Sequence, residues 1–228
     1  AIWVAAPEAV DALPASVRGK TVVTGAPIDA PNRWRQPQAR LHFGLTDGKP
    51  VVVITGGSQG SLAINRLVAE WLQQGGGANV NVIWSTGRAT HAEFAGLHRP
   101  PGVQVLPFID PMADAWAAAW LVVARAGMMT LAEVCAWGLP SILIPLPTAA
   151  ADHQRYNARA MAAAGASRVF EQRGLTAATL GGAIEALAAD GDALFQMGHA
   201  ASLRGRPEAA VTIADAVVKL AGGNAPAV

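Results

Sequence analysis

The chain has 228 residues, a length for one large domain or two small ones. It is 52% hydrophobic and 14% charged with a net charge of +1, which excludes the strong basic field expected of a nucleic-acid binder. No stretch reaches the roughly 18 uncharged apolar residues of a membrane span, and the lone cysteine, Cys135, leaves neither an internal disulfide nor a cysteine-based metal site.

A single cysteine suits a reducing compartment. The opening Ala1-Ile2-Trp3-Val4 is too short for a signal peptide and has no basic leader. It reads as the middle of a domain, so the chain is expected to be a fragment. Residues 2–5 and 21–24 have the composition of short strands, but Pro7, Pro14, Pro27, Pro31 and Pro37 punctuate the first fifty residues. Residues 1–24 are therefore expected to end a preceding unit, 25–37 to be a linker, and 38–228 to form the main domain.

From residue 51 onward, strands and helices alternate. Apolar runs of strand length lie at 51–55, 80–84, 103–107, 121–124, 141–145 and 167–170. Helical patterns lie between them at 61–74, 90–97, 111–119, 129–137 and 153–164. The apolar runs are continuous rather than alternating, which marks strands covered on both faces. The expected fold is α/β: a Rossmann-like, doubly wound parallel sheet of about six strands. Helices at 176–189, 192–203 and 207–221 follow without strands, and 222–228 reads as a frayed tail. No internal repeat is evident.

In an open parallel sheet, ligands bind beyond the carboxyl ends of the strands. The loops there are 56–61, 85–88, 108–112, 125–130 and 146–154, and they hold nearly all the unusual residues of the chain. The first, Gly56-Gly57-Ser58-Gln59-Gly60-Ser61, leads from a buried strand into a helix. Its glycines let backbone approach a ligand and aim free N–H groups at an anion, usually phosphate. No lysine follows the last glycine, so it is not a Walker loop, and it is not G-x-G-x-x-G. It does fit G-x-S-x-G, the nucleophile elbow of serine hydrolases, with Ser58 as nucleophile, Asp110 or Asp152 as acid, and His153 or His199 as base. An elbow needs a sheet built before it, however, and here its strand comes first.

In Arg125-Ala126-Gly127-Met128-Met129-Thr130-Leu131-Ala132-Glu133, the pair Thr130 and Glu133 has the spacing of a capping box. The same glutamate could instead accept hydrogen bonds from ribose hydroxyls. In Asp152-His153-Gln154-Arg155-Tyr156-Asn157, Asp152 reads as a helix N-cap and Asn157 as a surface or packing residue. His153 and Gln154, which both donate and accept, suit sugar hydroxyls. His42, His91, His98 and His199 lack partners in sequence and read as surface residues. No H-x-x-x-H or H-E-x-x-H occurs, so no metal site is expected.

Several motifs fall together in order and spacing. They are Thr24-Gly25-Ala26-Pro27, the 56–60 turn, Leu106-Pro107-Phe108-Ile109-Asp110-Pro111-Met112, Arg125-Ala126-Gly127, Leu131-Ala132-Glu133, Gly138-Leu139-Pro140, Asp152-His153-Gln154 and Asn157-Ala158-Arg159-Ala160. In this the chain resembles the MurG family of glycosyltransferase family 28 from about residue 22 to residue 220. That family converts lipid I to lipid II in bacterial peptidoglycan synthesis, and its members have two Rossmann-like domains.

The resemblance implies the C-terminal, UDP-GlcNAc-binding half of an inverting hexosaminyl transferase, with no cofactor. Ser58 would sit by the diphosphate, with Gly57 and Gln59 beside it. Phe108, Ile109 and Met112 would frame the uracil, and Met128, Met129 and Thr130 would present amides to the phosphates, with Arg125 and Gly127 in the same set. Glu133 would hold the ribose, and His153 and Gln154 the GlcNAc. Catalytic residues, the lipid I contacts and the membrane-facing patch would belong to the N-terminal half, which implies a peripheral place on the cytoplasmic side of the cell membrane. Two positions depart from the family pattern: Asp29 stands where an arginine is usual, and Trp120 where an aspartate is usual. A second arrangement, a stand-alone nucleotide-sugar-binding subunit recruited by a membrane partner, fits the same half.

Overall fold

The computed structural model describes residues 1–45 and 48–222. Of the expected frayed tail, all but its first residue lies outside the described residues. The chain opens with strand β1 (Ile2–Val4), short helices α1 (Glu8–Asp11) and α2 (Ala15–Arg18), and strand β2 (Thr21–Val23). β1 and β2 pair in parallel as a sheet of their own. Residues 25–37, expected to be a linker, contain local structure. They carry a 3-10 turn, Arg33–Arg35, and run into α3 (Gln36–His42). Pro37 falls in the first turn of α3, where its missing N–H breaks no helical bond.

The main domain alternates β3 (Val51–Thr55), α4 (Leu62–Gln73), β4 (Asn81–Ser85), α5 (His91–Phe94), β5 (Val103–Leu106), α6 (Met112–Ala118), β6 (Leu121–Ala124), α7 (Met128–Trp137), β7 (Ser141–Leu143), α8 (His153–Ala163) and β8 (Ser167–Val169). Helices α9 (Ala177–Ala188), α10 (Gly191–Arg204) and α11 (Ala209–Leu220) close the fold. The expected helix at 90–97 is only α5 followed by a 3-10 turn at Ala95–Leu97. None of the described helices is long and apolar enough to cross a membrane.

The six main strands are all parallel, in the order β5-β4-β3-β6-β7-β8. The chain winds outward from β3 through β4 to β5, then returns to the other side of β3 as β6. The winding direction reverses between β3 and β6, and crevices form at such switch points.

β3 shows why continuous apolar runs occur. Val52 and Ile54 join Ile64, Val68 and Leu72 of α4 and Leu180, Ile184 and Leu187 of α9 on one face. Val51 and Val53 join Ala115, Trp116 and Val134 on the other. All five β3 residues are buried; each large side chain so buried stabilises by about 1.5–3 kcal/mol. The α4 residues recur at the i, i+4, i+8 spacing that puts them on one helix face. Helix ends are fixed locally: Ser61 Oγ accepts from Ile64 N at the start of α4, Thr176 Oγ1 from Thr179 N before α9, and Asp190 Oδ1 from Ala193 N before α10. α7 stops at Gly138, whose φ of 64° is left-handed.

Candidate functional site

A cavity of about 150 Å³ opens at the carboxyl rim beside the switch point. Thr55 ends β3 in its wall, and Gly57 and Ser58 follow in the turn. Ser85 comes from the end of β4, Phe108 and Ile109 from the loop after β5, Met112 and Trp116 from α6, and Thr130 and Glu133 from α7. Seven residues singled out in the sequence thus line one space: Gly57, Ser58, Phe108, Ile109, Met112, Thr130 and Glu133.

The turn after β3 is held from below. Gly57 N donates to Thr55 Oγ1 at 3.1 Å. A Cβ on Gly60 would lie 2.3 Å from the Thr86 carbonyl oxygen, and one on Gly87 would lie 2.4 Å from that of Gln59. Both glycines also have positive φ, 74° and 85°, so the turns after β3 and β4 interlock only because neither carries a side chain there. Asn65, fully buried on α4, adds a polar brace. Its Nδ2 donates to Thr86 O at 2.7 Å and to Thr90 Oγ1 at 3.2 Å, and its Oδ1 accepts from Trp84 Nε1 at 3.0 Å.

Glu133 is the wall's carboxylate. Its Oε2 accepts from Trp116 Nε1 at 3.0 Å. Burial pushes its pKa up, the Trp116 hydrogen bond pulls it down, and the charge of Asp29 pushes it up again; the net shift is upward. The capping-box reading is corrected here. α7 begins at Met128 with Gly127 as N-cap and no side-chain cap, so Thr130 and Glu133 lie inside the helix and are free to face the cavity.

The other half of the rim is arranged differently. Arg125 is buried, and its guanidinium donates to Ile144 O (3.0 Å), Pro145 O (3.2 Å), Ser61 Oγ (2.7 Å) and Gln172 Oε1 (2.5 Å). It braces the turn after β3 from behind and does not line the cavity. Gln154 Oε1 accepts from Leu146 N at 3.1 Å, and His153 Nδ1 lies 2.8 Å from Ala150 O. Neither lines the cavity, nor do Gln59, Gly127, Met128 or Met129. Just before α8, Ala151 and Asp152 both take left-handed φ, 48° and 53°, at a cost of roughly 1–3 kcal/mol each. Asp152 holds the N-cap position without capping; its carboxylate pairs with Arg155 at 3.2 Å instead. Asn157 donates to Ala126 O at 3.0 Å.

Two histidines expected at the surface have partners: His98 Nδ1 accepts from Val105 N, and His91 Nδ1 lies 3.1 Å from Thr86 Oγ1. No histidine lines the cavity that Ser58 lines, so the hydrolase reading lacks its base there. Burial pushes the Cys135 thiol up to about 11, which leaves it unreactive near neutral pH. Trp120 donates its backbone N–H to Val51 O at the amino end of the sheet, opposite the rim. Sequence reading missed Trp116, Ser85, Thr55 and Asn65. Trp116 carried a signal, one helical turn after Met112 on the same face, and Asn65 another, as a polar residue within an apolar helix stripe.

A parallel six-stranded sheet with a cleft at its switch point defines a Rossmann-like α/β domain. The family profile described as "Glycosyltransferase family 28 C-terminal domain" matches residues 51–213, and the chain belongs to this family. It is 37% identical over 213 residues to a protein of Chlorobium phaeobacteroides named UDP-N-acetylglucosamine--N-acetylmuramyl-(pentapeptide) pyrophosphoryl-undecaprenol N-acetylglucosamine transferase, covering 92% of this chain and 58% of that protein. A protein of the same name from Halorhodospira halophila is 40% identical over 198 residues, covering 84% and 54%. Among solved structures, Acinetobacter baumannii MurG superposes with a TM-score of 0.67 at 29% identity, over 85% of this chain and 54% of that one. The calicheamicin glycosyltransferase CalG4 shares the fold, with a TM-score of 0.63 at 21% identity. The chain spans a little over half the length of these curated relatives.

Proposed function

We propose that this domain binds UDP-GlcNAc at the cavity beside the switch point. In the intact protein it serves a transferase that adds GlcNAc to lipid I, yielding lipid II for peptidoglycan, on the cytoplasmic face of the membrane. The observation that carries the reading is the convergence of Ser58, Phe108, Ile109, Met112, Thr130 and Glu133 on one cavity, in a chain similar to proteins named for this transfer.

Phe108, Ile109 and Met112 supply apolar walls for a flat base. Glu133 accepts from the ribose hydroxyls, and its carboxylate is held in place by Trp116. The amino ends of α4 and α7 favour a diphosphate. His153 and Gln154 face the sugar. When the acceptor hydroxyl attacks the anomeric carbon, UDP leaves with the bonding pair, and these helix ends stabilise the charge that develops. The hydroxyl's proton goes to a general base, assigned to the N-terminal half that the relatives possess. Domain bounds of 1–24, 25–37 and 38–228 follow from this reading.

The test is incubation of this chain with labelled UDP-GlcNAc and lipid I. Donor should bind and no lipid II should form. Efficient lipid II synthesis by this chain would overturn the division between donor and acceptor halves.

A further inference from the structure

The loop after β4 has no role so far beyond bracing the turn after β3. Its Arg88 is exposed, and its guanidinium carbon lies 5.1 Å from the centroid of the Phe108 ring. Phe108 is a wall residue of the cavity, and Ser85, three residues before Arg88, is another. Gly87 locks this loop against the backbone of Gln59 and Gly60, so Arg88 emerges beside the turn that carries Ser58.

No lysine or arginine is among the residues that line the cavity. Of the cations around it, Arg125 is bonded to four protein acceptors, and Arg35 pairs with Asp114 at 2.6 Å. Among the described residues, no carboxylate pairs with Arg88 and no acceptor is bonded to it. The charges that remain at the cavity are negative: Glu133 in the wall, with Asp29 near enough to act on it. A nucleoside diphosphate is a polyanion and would meet these two acids with only backbone dipoles in its favour. A guanidinium resting on an aromatic face is weakly held, by about 0.5–1 kcal/mol at an exposed site, and a phosphate offers it stronger, bidentate bonds.

We propose that Arg88 is the cation of the donor site: it leaves the Phe108 ring to bind the diphosphate of the incoming nucleotide, and so favours diphosphates over monophosphates. The departure of Arg88 also opens the face of Phe108 to the base. This rests on the donor-site reading above.

Calorimetric titration of the parent chain, Arg88→Ala and Arg88→Lys with UDP and with UMP tests it. Arg88→Ala should weaken UDP about tenfold, as expected for the loss of a charge-assisted hydrogen bond, and UMP much less, while Arg88→Lys should recover part of the loss. The side chain is exposed, so folding should be unaffected, which thermal melts of all three proteins check. Equal losses for UDP and UMP would mean that Arg88 acts on the base through Phe108, and would overturn the proposal. Unchanged UDP affinity in Arg88→Ala, with a parent that binds UDP, would overturn it while leaving the donor site standing. A parent that binds neither nucleotide would overturn both.

Discussion

The two sides of the rim differ in what their polar groups already hold. Around the β3–β6 switch point, Ser58, Thr130 and Glu133 line open space, and the Glu133 carboxylate accepts from the Trp116 indole. On the β7–β8 side, Arg125, Gln154, Asn157 and Arg155 are each bonded to the protein itself. Both sides read alike in the sequence, as polar residues at the starts of helices. A rim residue serves a ligand through hydrogen-bonding capacity that the fold leaves unmet, and only the first side leaves much of it.

Removing the brace should have the largest effect. Arg125→Ala would strand the Ile144 carbonyl, Ser61 Oγ and Gln172 Oε1 at a buried site, and a stability loss of about 3 kcal/mol is expected by urea unfolding. Arg125→Lys should restore little of it, since an ammonium lacks the planar fork that reaches several acceptors. A stable Arg125→Ala protein that has lost nucleotide binding would move Arg125 from the brace to the ligand.

Glu133→Gln works in the opposite sense. Glutamine still accepts from Trp116 but carries no charge for the ribose, so UDP affinity should fall about tenfold, roughly 1.4 kcal/mol, with little loss of stability. The pH dependence gives a second readout. Burial and Asp29 raise the pKa of Glu133 in the folded state. Its contribution is therefore most favourable below the unfolded value and is lost as pH rises through the folded one. UDP binding, which uses the ionised form, should strengthen over that same rise. The glutamine variant should lose both trends; retention of the binding trend would assign it to another group.

The sugar side should show the smallest effect. Replacing His153 and Gln154 by Ala should weaken UDP-GlcNAc by roughly 1 kcal/mol, about fivefold, and leave UDP nearly unchanged, because UDP lacks the hydroxyls they would meet. Equal loss for both ligands would mean that these residues hold the start of α8, as the Gln154 bond to Leu146 N already does.

The sheet was legible because its strands are buried on both faces, so Val51-Val52-Val53-Ile54 needs no partner to be recognised. The rim loops were legible because parallel sheets place them at one end. The short 3-10 turn at Ala95–Leu97 and the helix α3 beginning beside Pro37 were not, since local propensity there is weak and packing decides. The site was half legible. Gly57, Ser58 and Glu133 stand where chain order puts them, but Asn65 and Trp116 act through contacts across 19 to 21 and 17 residues of sequence. The left-handed pair Ala151 and Asp152 carries a weak residue-type signal, since aspartate is enriched in that region but alanine is not. The commitment of Arg125 to carbonyls 19 and 20 residues away is likewise invisible until the strands are laid side by side.

The most direct measurement is calorimetric titration of this chain with UDP-GlcNAc, alongside UDP and UDP-GalNAc. A donor site built as described should bind UDP in the micromolar to millimolar range, about 4–8 kcal/mol. UDP-GlcNAc should bind more tightly than UDP-GalNAc, because inverting one hydroxyl leaves polar groups of the site unpaired. Absence of UDP binding, or equal affinity for the two sugars, would contradict a UDP-GlcNAc site at this cavity.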